Sequence, residues 1–420
     1  MPIPPLHILA VAPQYPGKLG PLAVFLARLR GCRVTFLHHR AEPGTEPIPG
    51  PLHLAQYHVG GVARDPAVAW ERHLERGLCH AYGAFERLRD QPLRPVDLIL
   101  GHSDSLGSTL FLADLFPGVP ILQRMDPFLR PCGQDLADED REPLGLEYSL
   151  WRRSANAMNL LELENGVRPW VASAWTRSTY PDEYHASLSV HPEPVDHRRL
   201  RRAGPPHRTI AGRTLEPPTR LVTFAAGSAD RLRGVDHFLK LAERLLAARS
   251  DVVCALAGDP MVVRGLDIRD YGQSTLERLL ATSPIAHHDR LWCLGRLDPE
   301  TRRALLHRTN LYVAPGRLAE PTRILGEALA AGCVALAWDL EPLREWITPN
   351  VNGLLVPAYD LTALFDLAQA VLDHPADYAH LAQTAAESIV TQRDPGTFVD
   401  SLIEPIWAQA PTNPRSRTAV

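Results

Sequence analysis

Short uninterrupted apolar runs alternate with stretches of helical periodicity along most of the chain. Near the start, LHILAVAP is an apolar run of the buried-strand type, QYPGKLGP is turn-prone, and PLAVFLARLRG carries apolar residues at helical spacing. CRVTFLHH is strand-like again. This strand, loop, helix, strand order begins a parallel doubly wound sheet. PVDLILGH and VPILQRM each read as a buried strand ending in a polar loop, with GSTLFLADLF as the helix between them.

The rhythm restarts in the second half. RLVTFAAG, DVVCALAG, DRLWCLGRL, NLYVAPG and VALAW read as strands, and GVDHFLKLAERLLAARS, PETRRALLHRT and RILGEALAAG as the helices between them. RRLRRAGPPHRTIAGRTLEPPTR, rich in Pro, Gly and Arg without periodicity, reads as linker and surface loop. The pattern therefore predicts an α/β protein of two domains, residues 1–204 and 219–395, joined by a linker at 205–218, with PGTFVDSLIEPIWAQA supplying a terminal helix at 396–412. Loops at the carboxyl ends of the strands are expected to face a ligand cleft between the domains. Residues 41–66 and 126–150 carry no motif that assigns a substrate.

Composition narrows the setting. The chain has 420 residues, 45% hydrophobic and 22% charged, and 44 basic against 48 acidic residues give a net charge of −4. That suits two globular domains and disfavours disorder and coiled coils. Without a dense basic block, nucleic acid and anionic membranes are not expected as main partners. Lys18 and Lys240 are the only lysines, so a bound anion should meet arginine forks or backbone amides. The six cysteines show no CxxC or Cys/His ligand spacing and read as reduced core residues of a cytoplasmic protein, with no metal site. MPIPPLHILAVAP is too proline-rich for a signal peptide, and no stretch reaches the 18 apolar residues of a membrane span.

Candidate chemistry gathers at the predicted strand ends. Gly17, Lys18 and Gly20 precede a helix N-terminus, where free amides and the helix dipole suit a phosphate, although a plain strand-to-helix turn accounts for them equally well. The loop is neither GxxxxGK[ST] nor GxGxxG, which removes the main support for ATP-hydrolysing and nicotinamide readings. His102, at the end of PVDLILGH, can donate to a substrate hydroxyl or act as a base. Asp126 is a carboxylate at the next strand end, or a loop residue capping its turn. Farther on, Glu320 precedes Pro321, and Glu327 lies within the following helix. Two carboxylates flanking the amides of Thr322, Arg323 and Ile324 can hold a polyhydroxylated ligand with a phosphate nearby; a solvated amphipathic helix is the plainer explanation.

GEALAAGCVALAWDLEPLREWITPNVNGLLVPAYD resembles the donor-domain signature of family 4 GT-B glycosyltransferases, in which a glutamate opens an EAxxxG helix ahead of a strand and an NGLLV segment. ILAVAPQYPGKLGPLAVFLARLRG, VDLILGHSDSLGSTLFLADLFPGVPIL and WRRSANAMNLLELENGVRPWVASAWTRSTYP resemble a branch of the same family, so the likeness runs over roughly residues 7–395. It implies the GT-B fold, two Rossmann-like domains facing a cleft, with an acceptor-side N-terminal domain and a donor-side C-terminal one. It also implies transfer of a sugar from a nucleotide-diphosphate sugar of UDP or GDP type with retention of configuration, without a metal or other cofactor. By the same resemblance Glu327 accepts from the ribose, amides from Thr322 to Leu325 meet the diphosphate or sugar, and Arg296 and Leu297 border the base. His102 and the Gly17–Gly20 loop approach from the other domain, and the terminal helix crosses back to it.

Two departures stand out. The family places an arginine, and a lysine six residues later, on the loop after the first donor-domain strand; here those positions hold Gly227 and Arg233, with Arg231 close by. The family's paired glutamates are eight apart, whereas Glu320 and Glu327 are seven apart, and Ala319 holds the expected position. Two function classes follow: a retaining glycosyltransferase using His102, Asp126 and Glu320 near the reacting sugar, or a catalytically silent homologue serving as a binding or scaffolding subunit. An epimerase on the same fold is a third. A homo-oligomer or a partner glycosyltransferase fits either of the first two.

Overall fold

The computed structural model describes residues 6–29, 32–41, 52–60, 69–93, 95–102, 107–130, 146–202, 208–261, 274–317, 321 and 323–409. They form two compact units. The first takes the chain up to Pro194 and again from Pro395, and the second runs from Val195 to Asp394.

In the first unit the strands are β1 (His7–Val11), β2 (Arg33–His38), β3 (Leu52–Gln56), β4 (Leu98–His102), β5 (Ile121–Arg124), β6 (Arg168–Val171) and β7 (Ser189–Val190), in the order β3-β2-β1-β4-β5-β6-β7. Every pairing between them is parallel. All five residues of β1 and of β4 are buried. Apart from a histidine at one end of each, His7 and His102, these strands are apolar because helices cover both faces of a parallel sheet, and this is why they appear as near-continuous runs rather than alternating ones. Helix α1 (Gly20–Leu29) carries the chain from β1 to β2, and α2 (Ala69–Asp90) precedes β4.

GSTLFLADLF, expected as a full helix, forms turns followed by the single helical turn α3 (Leu112–Leu115). Gly107 sits at φ 65°, and the hydroxyl of Thr109 is committed to the side chains of Gln123 and Glu162, so this stretch is spent on local bonds instead of a helix. Pro117 and Gly118 then end it.

The segment from Pro395 forms two helices rather than one, Pro395–Leu402 and Glu404–Gln409. Pro405 lacks the amide that would continue the first helix and is well suited to open the second. Phe398, Val399, Leu402, Ile403 and Ile406 are buried in the same cluster as Ile8, Leu26, Leu100 and Trp170, with the Phe398 and Trp170 rings meeting edge to face at 5.2 Å.

The second unit holds β8 (Arg220–Ser228), β9 (Val252–Asp259), β10 (Leu291–Gly295), β11 (Leu311–Ala314), β12 (Val334–Trp338) and β13 (Leu354–Val356), ordered β10-β9-β8-β11-β12-β13 and parallel throughout. Helices α4 (Val235–Ala248), α5 (Pro299–Arg308) and α6 (Arg323–Ala330) connect them. In both sheets the chain builds outward from the first strand in one direction and then crosses to its other side, as in a Rossmann-type sheet. The reversal falls between β1 and β4 in one unit and between β8 and β11 in the other.

The stretch expected as linker contributes a small hairpin, Thr209–Ile210 against Arg213–Thr214, turned at Ala211 and Gly212 with φ 48° and 77°. Ile210 and Leu215 belong to the core of the second unit. Of the cysteines expected in the core, Cys254 and Cys333 are buried, burial pushing their thiols up to about 12 and about 11, whereas Cys293 is exposed; Cys132 lies outside the described residues. Among the described residues, no helix is long and apolar enough to cross a membrane.

Removing Ile403, fully buried near the carboxyl terminus, is expected to destabilise the first unit. Ile403→Ala should cost about 2–5 kcal/mol in urea unfolding, and hydrogen exchange should accelerate at β1 and β4, more than 300 residues away in sequence.

Candidate functional site

Open parallel sheets bind ligands beyond the carboxyl ends of the strands at the point where strand order reverses. Both units place charged side chains there.

In the first unit, β1 runs into a turn in which Gly17 has φ 47°, and a Cβ on it would lie 2.7 Å from the carbonyl of Gln14. This turn delivers Lys18 just ahead of α1. On the other side of the reversal, parallel register pairs His102 at the end of β4 with Arg124 at the end of β5, and Asp126 follows two residues later. Lys18 Nζ is 2.5 Å from Asp126 Oδ1, Arg124 Nη1 is 3.1 Å from the same oxygen, and His102 Nε2 is 3.2 Å from Oδ2. Arg124 also reaches Glu193 at 3.4 Å and lies over the Trp170 ring. Three expected residues, Lys18, His102 and Asp126, thus form one cluster, to which the structure adds Arg124 and Glu193.

Burial would raise the Asp126 carboxyl, but Lys18, His102 and Arg124 more than reverse that and hold it well below the usual carboxylate range. His102 Nε2 also lies 3.4 Å from Arg124 Nη1, and a ring nitrogen cannot donate and accept at once. Protonated, Nε2 serves Asp126; deprotonated, it accepts from Arg124. Tyr180 fixes the loop by donating to the Asp126 carbonyl at 2.6 Å.

In the second unit, β8 is irregular between Ala225 and Ser228 and is followed by a cationic turn, Arg231–Arg233. Asp230 Oδ1 caps the turn by accepting from the Arg233 amide at 3.0 Å, and Gly234, at φ 84°, opens α4. A Cβ on Gly234 would lie 2.0 Å from the carbonyl oxygen of Pro315. This close approach brings the turn against the segment after β11. Arg317 secures it: its guanidinium forks onto Asp236 at 3.0 and 2.9 Å and also donates to the Arg231 carbonyl, while its amide donates to the Leu232 carbonyl. Burial would raise Asp236, yet the Arg317 fork leaves it lowered. A pocket at this reversal is lined by Ala226, Arg233, Gly316, Arg317, Pro321 and Leu325.

Gly227 is exposed, and a Cβ built on it meets nothing within 4 Å. Helix α6 starts at Arg323 rather than Pro321, with Ile324 and Leu325 buried in its first turn. Glu320 and Thr322 lie outside the described residues, as does Ala319. Glu327 is held by Arg302 of α5 at 2.7 Å, with Arg323 Nε 3.3 Å away. Arg296, at the end of β10, faces Asp259 at 3.8 Å, and the Leu297 carbonyl accepts from Arg302. Sequence reading missed Arg302, Asp236 and Arg317. Their partners lie 25 and 81 residues away, and no local spacing marks them.

The arrangement gathers cationic side chains and the start of α6 around one pocket, with the Glu327 carboxylate on the same helix. The family described as Glycosyl transferase family 4 group matches residues 30–200, and that described as Glycosyl transferases group 1 matches residues 207–388. An alpha-D-kanosaminyltransferase of Streptomyces kanamyceticus is 22% identical over 167 residues, 40% of each chain. A phosphatidyl-myo-inositol mannosyltransferase of Mycobacterium leprae is 33% identical over 97 residues, 23% of this chain and 26% of the relative. The chain therefore matches well under half the length of these curated relatives.

Among solved structures, sucrose-phosphate synthase from Thermosynechococcus elongatus superposes with a TM-score of 0.69 at 17% identity, covering 96% of this chain and 99% of that one. HepE of Anabaena, in complex with UDP and glucose, superposes with a TM-score of 0.65 at 12% identity, covering 96% and 100%.

Two outcomes are expected here. A carboxylate depressed in the folded state stabilises above its unfolded pKa, and this is lost as pH falls through the folded value. Asp126→Asn should therefore lower Tm at pH 7, with the gap to the native protein narrowing below about pH 4 in scanning calorimetry. Gly234→Ala should cost at least about 2 kcal/mol in denaturant unfolding, since it combines an αL penalty with a backbone clash.

Proposed function

The chain belongs to the group 1 glycosyl transferases and has their GT-B fold of two Rossmann-like units, and from that premise we propose that it transfers a sugar from a nucleotide-diphosphate sugar to an acceptor with retention of configuration. The bond from the anomeric carbon to the diphosphate breaks, and one to an acceptor oxygen forms on the same face. The donor is of UDP or GDP type, as in the UDP complex of HepE. The reaction needs no metal, and the protein works in the cytoplasm, alone, as a homo-oligomer or beside a partner glycosyltransferase.

The observation that carries this reading is the pocket at the second unit's strand-order reversal, where Arg233 and Leu325 are both part of the lining. Departure of the diphosphate concentrates negative charge on the phosphates. Arg233, with Arg231 beside it, supplies positive charge, and amides from Thr322 to Leu325 add the donors of a helix start. Glu327 accepts from the ribose hydroxyls, and Arg296 and Leu297 border the base. Gly17, Lys18 and Gly20 are proposed to serve phosphates and sugar, and His102, Asp126 and Glu320 the reacting sugar.

Gly227 removes one cation that the family normally uses, and the loss of one preorganised donor is worth about 10²–10³ in rate. Gly227 is exposed with open space around it, so the deficit is correctable by substitution.

Calorimetry with UDP, GDP and their sugar conjugates should detect binding below millimolar concentration, and Arg233→Ala should lower turnover by about 10²–10³. Gly227→Arg should change stability by less than about 0.5 kcal/mol while tightening diphosphate binding. Failure of every nucleoside diphosphate to bind would overturn the transferase reading. Binding without donor hydrolysis or transfer would mark a silent binding subunit, and isomerised sugar without acceptor would mark an epimerase.

A further inference from the structure

Arg302 projects from α5, a helix whose start is fixed by Asp298 accepting from the amides of Glu300 and Thr301 at 3.0 Å each. Its guanidinium makes three contacts on two separate elements. Nε donates to Glu327 Oε2 at 2.7 Å and Nη2 to Oε1 at 3.3 Å, both on α6, while Nη1 reaches the Leu297 carbonyl at 3.4 Å in the loop after β10. The Arg302 and Glu327 side chains are only 14% and 12% exposed.

A carboxylate offers about four lone-pair positions. The Arg302 fork takes one on each oxygen, fixes the plane of the group and leaves one on each for a pair of vicinal hydroxyls. Arg323 Nε, though 3.3 Å from Oε1, makes no hydrogen bond to it. A lysine cannot reproduce the fork, because its ammonium is a point charge.

We infer that Arg302 is a positioning residue for the nucleoside half of the donor, holding the Glu327 carboxylate and the Leu297 loop in fixed register so that ribose hydroxyls and base are read together. This rests on the function proposed above, in which those two elements meet ribose and base. Arg302 itself touches neither.

The test is equilibrium binding of UDP and GDP, their 2′,3′-dideoxy counterparts and inorganic pyrophosphate to the full chain. The native protein should prefer the ribonucleotide by about tenfold or more, the worth of hydrogen bonds to a charged group. Arg302→Met should reduce that preference to less than about threefold, weakening the ribonucleotide and leaving the dideoxy form and pyrophosphate unchanged. Arg302→Lys should fall between, and it serves in place of Arg302→Met if that variant unfolds. Arg303→Met, which removes an exposed pair with Glu300, should behave as the native protein does. A native preference that persists in both Arg302 variants overturns this inference alone. Absence of nucleotide binding by the native protein overturns the proposed function and this inference with it.

Discussion

The chemistry of the second unit depends on a buried ion pair. Arg317 and Asp236 are almost wholly removed from water, and their desolvation is repaid only because the guanidinium forks onto both carboxylate oxygens and satisfies a backbone carbonyl as well. The pair lies under the turn that carries Arg231 and Arg233. Without it, the three-residue turn that carries two half-buried cations would lose the bonds that fix its backbone, and a loosely held cation is a poor partner for an anion. Gly234 makes the same demand in covalent terms, since only a residue without Cβ lets the turn approach Pro315 so closely. Electrostatics and sterics agree on one placement.

The first unit solves a related problem with a cluster of its own, in which Arg124 and His102 are as deeply buried as the Arg317–Asp236 pair. Lys18, Arg124 and His102 converge on Asp126, so three groups able to carry positive charge share one carboxylate. Arg124 is shared with Glu193 as well, so two carboxylates face these groups and hold each of them in place. Beneath the cluster, Thr109, Gln123 and Glu162 form a buried polar network, and Gln123 crosses so close over Gly101 that a Cβ there would overlap it. Glycine is thus required one residue before His102.

Much of the architecture was legible in the chain, and for a clear reason. Parallel strands covered on both faces are apolar at most positions, so RLVTFAAG and DVVCALAG announce themselves as runs, and the turn that follows each marks a carboxyl end. Lys18, His102 and Asp126 were readable as strand-end residues for the same reason. What stayed hidden was whatever depends on distant segments meeting. Nothing near Glu327 announces Arg302, and nothing near Asp236 announces Arg317, because such pairs are set by sheet register and helix packing. The hairpin at 209–214 was obscured by the prolines and arginines on either side of it, although Ile210 and Leu215 supply its anchor. GSTLFLADLF misled because its apolar spacing suits a helix while Thr109 bonds elsewhere.

The first unit is discontinuous in the chain, and this has a bearing on how the protein is made. Val195–Asp394 is one uninterrupted stretch and can complete its core as soon as it has left the ribosome. The first unit cannot, because Phe398, Leu402, Ile403 and Ile406, which share a buried cluster with residues of β1 and β4, are synthesised only after the whole of Val195–Asp394. Although it begins first, it must hold an exposed apolar surface through roughly 200 residues of translation, about 10–40 s at typical elongation rates. The second unit can therefore complete its core before the first.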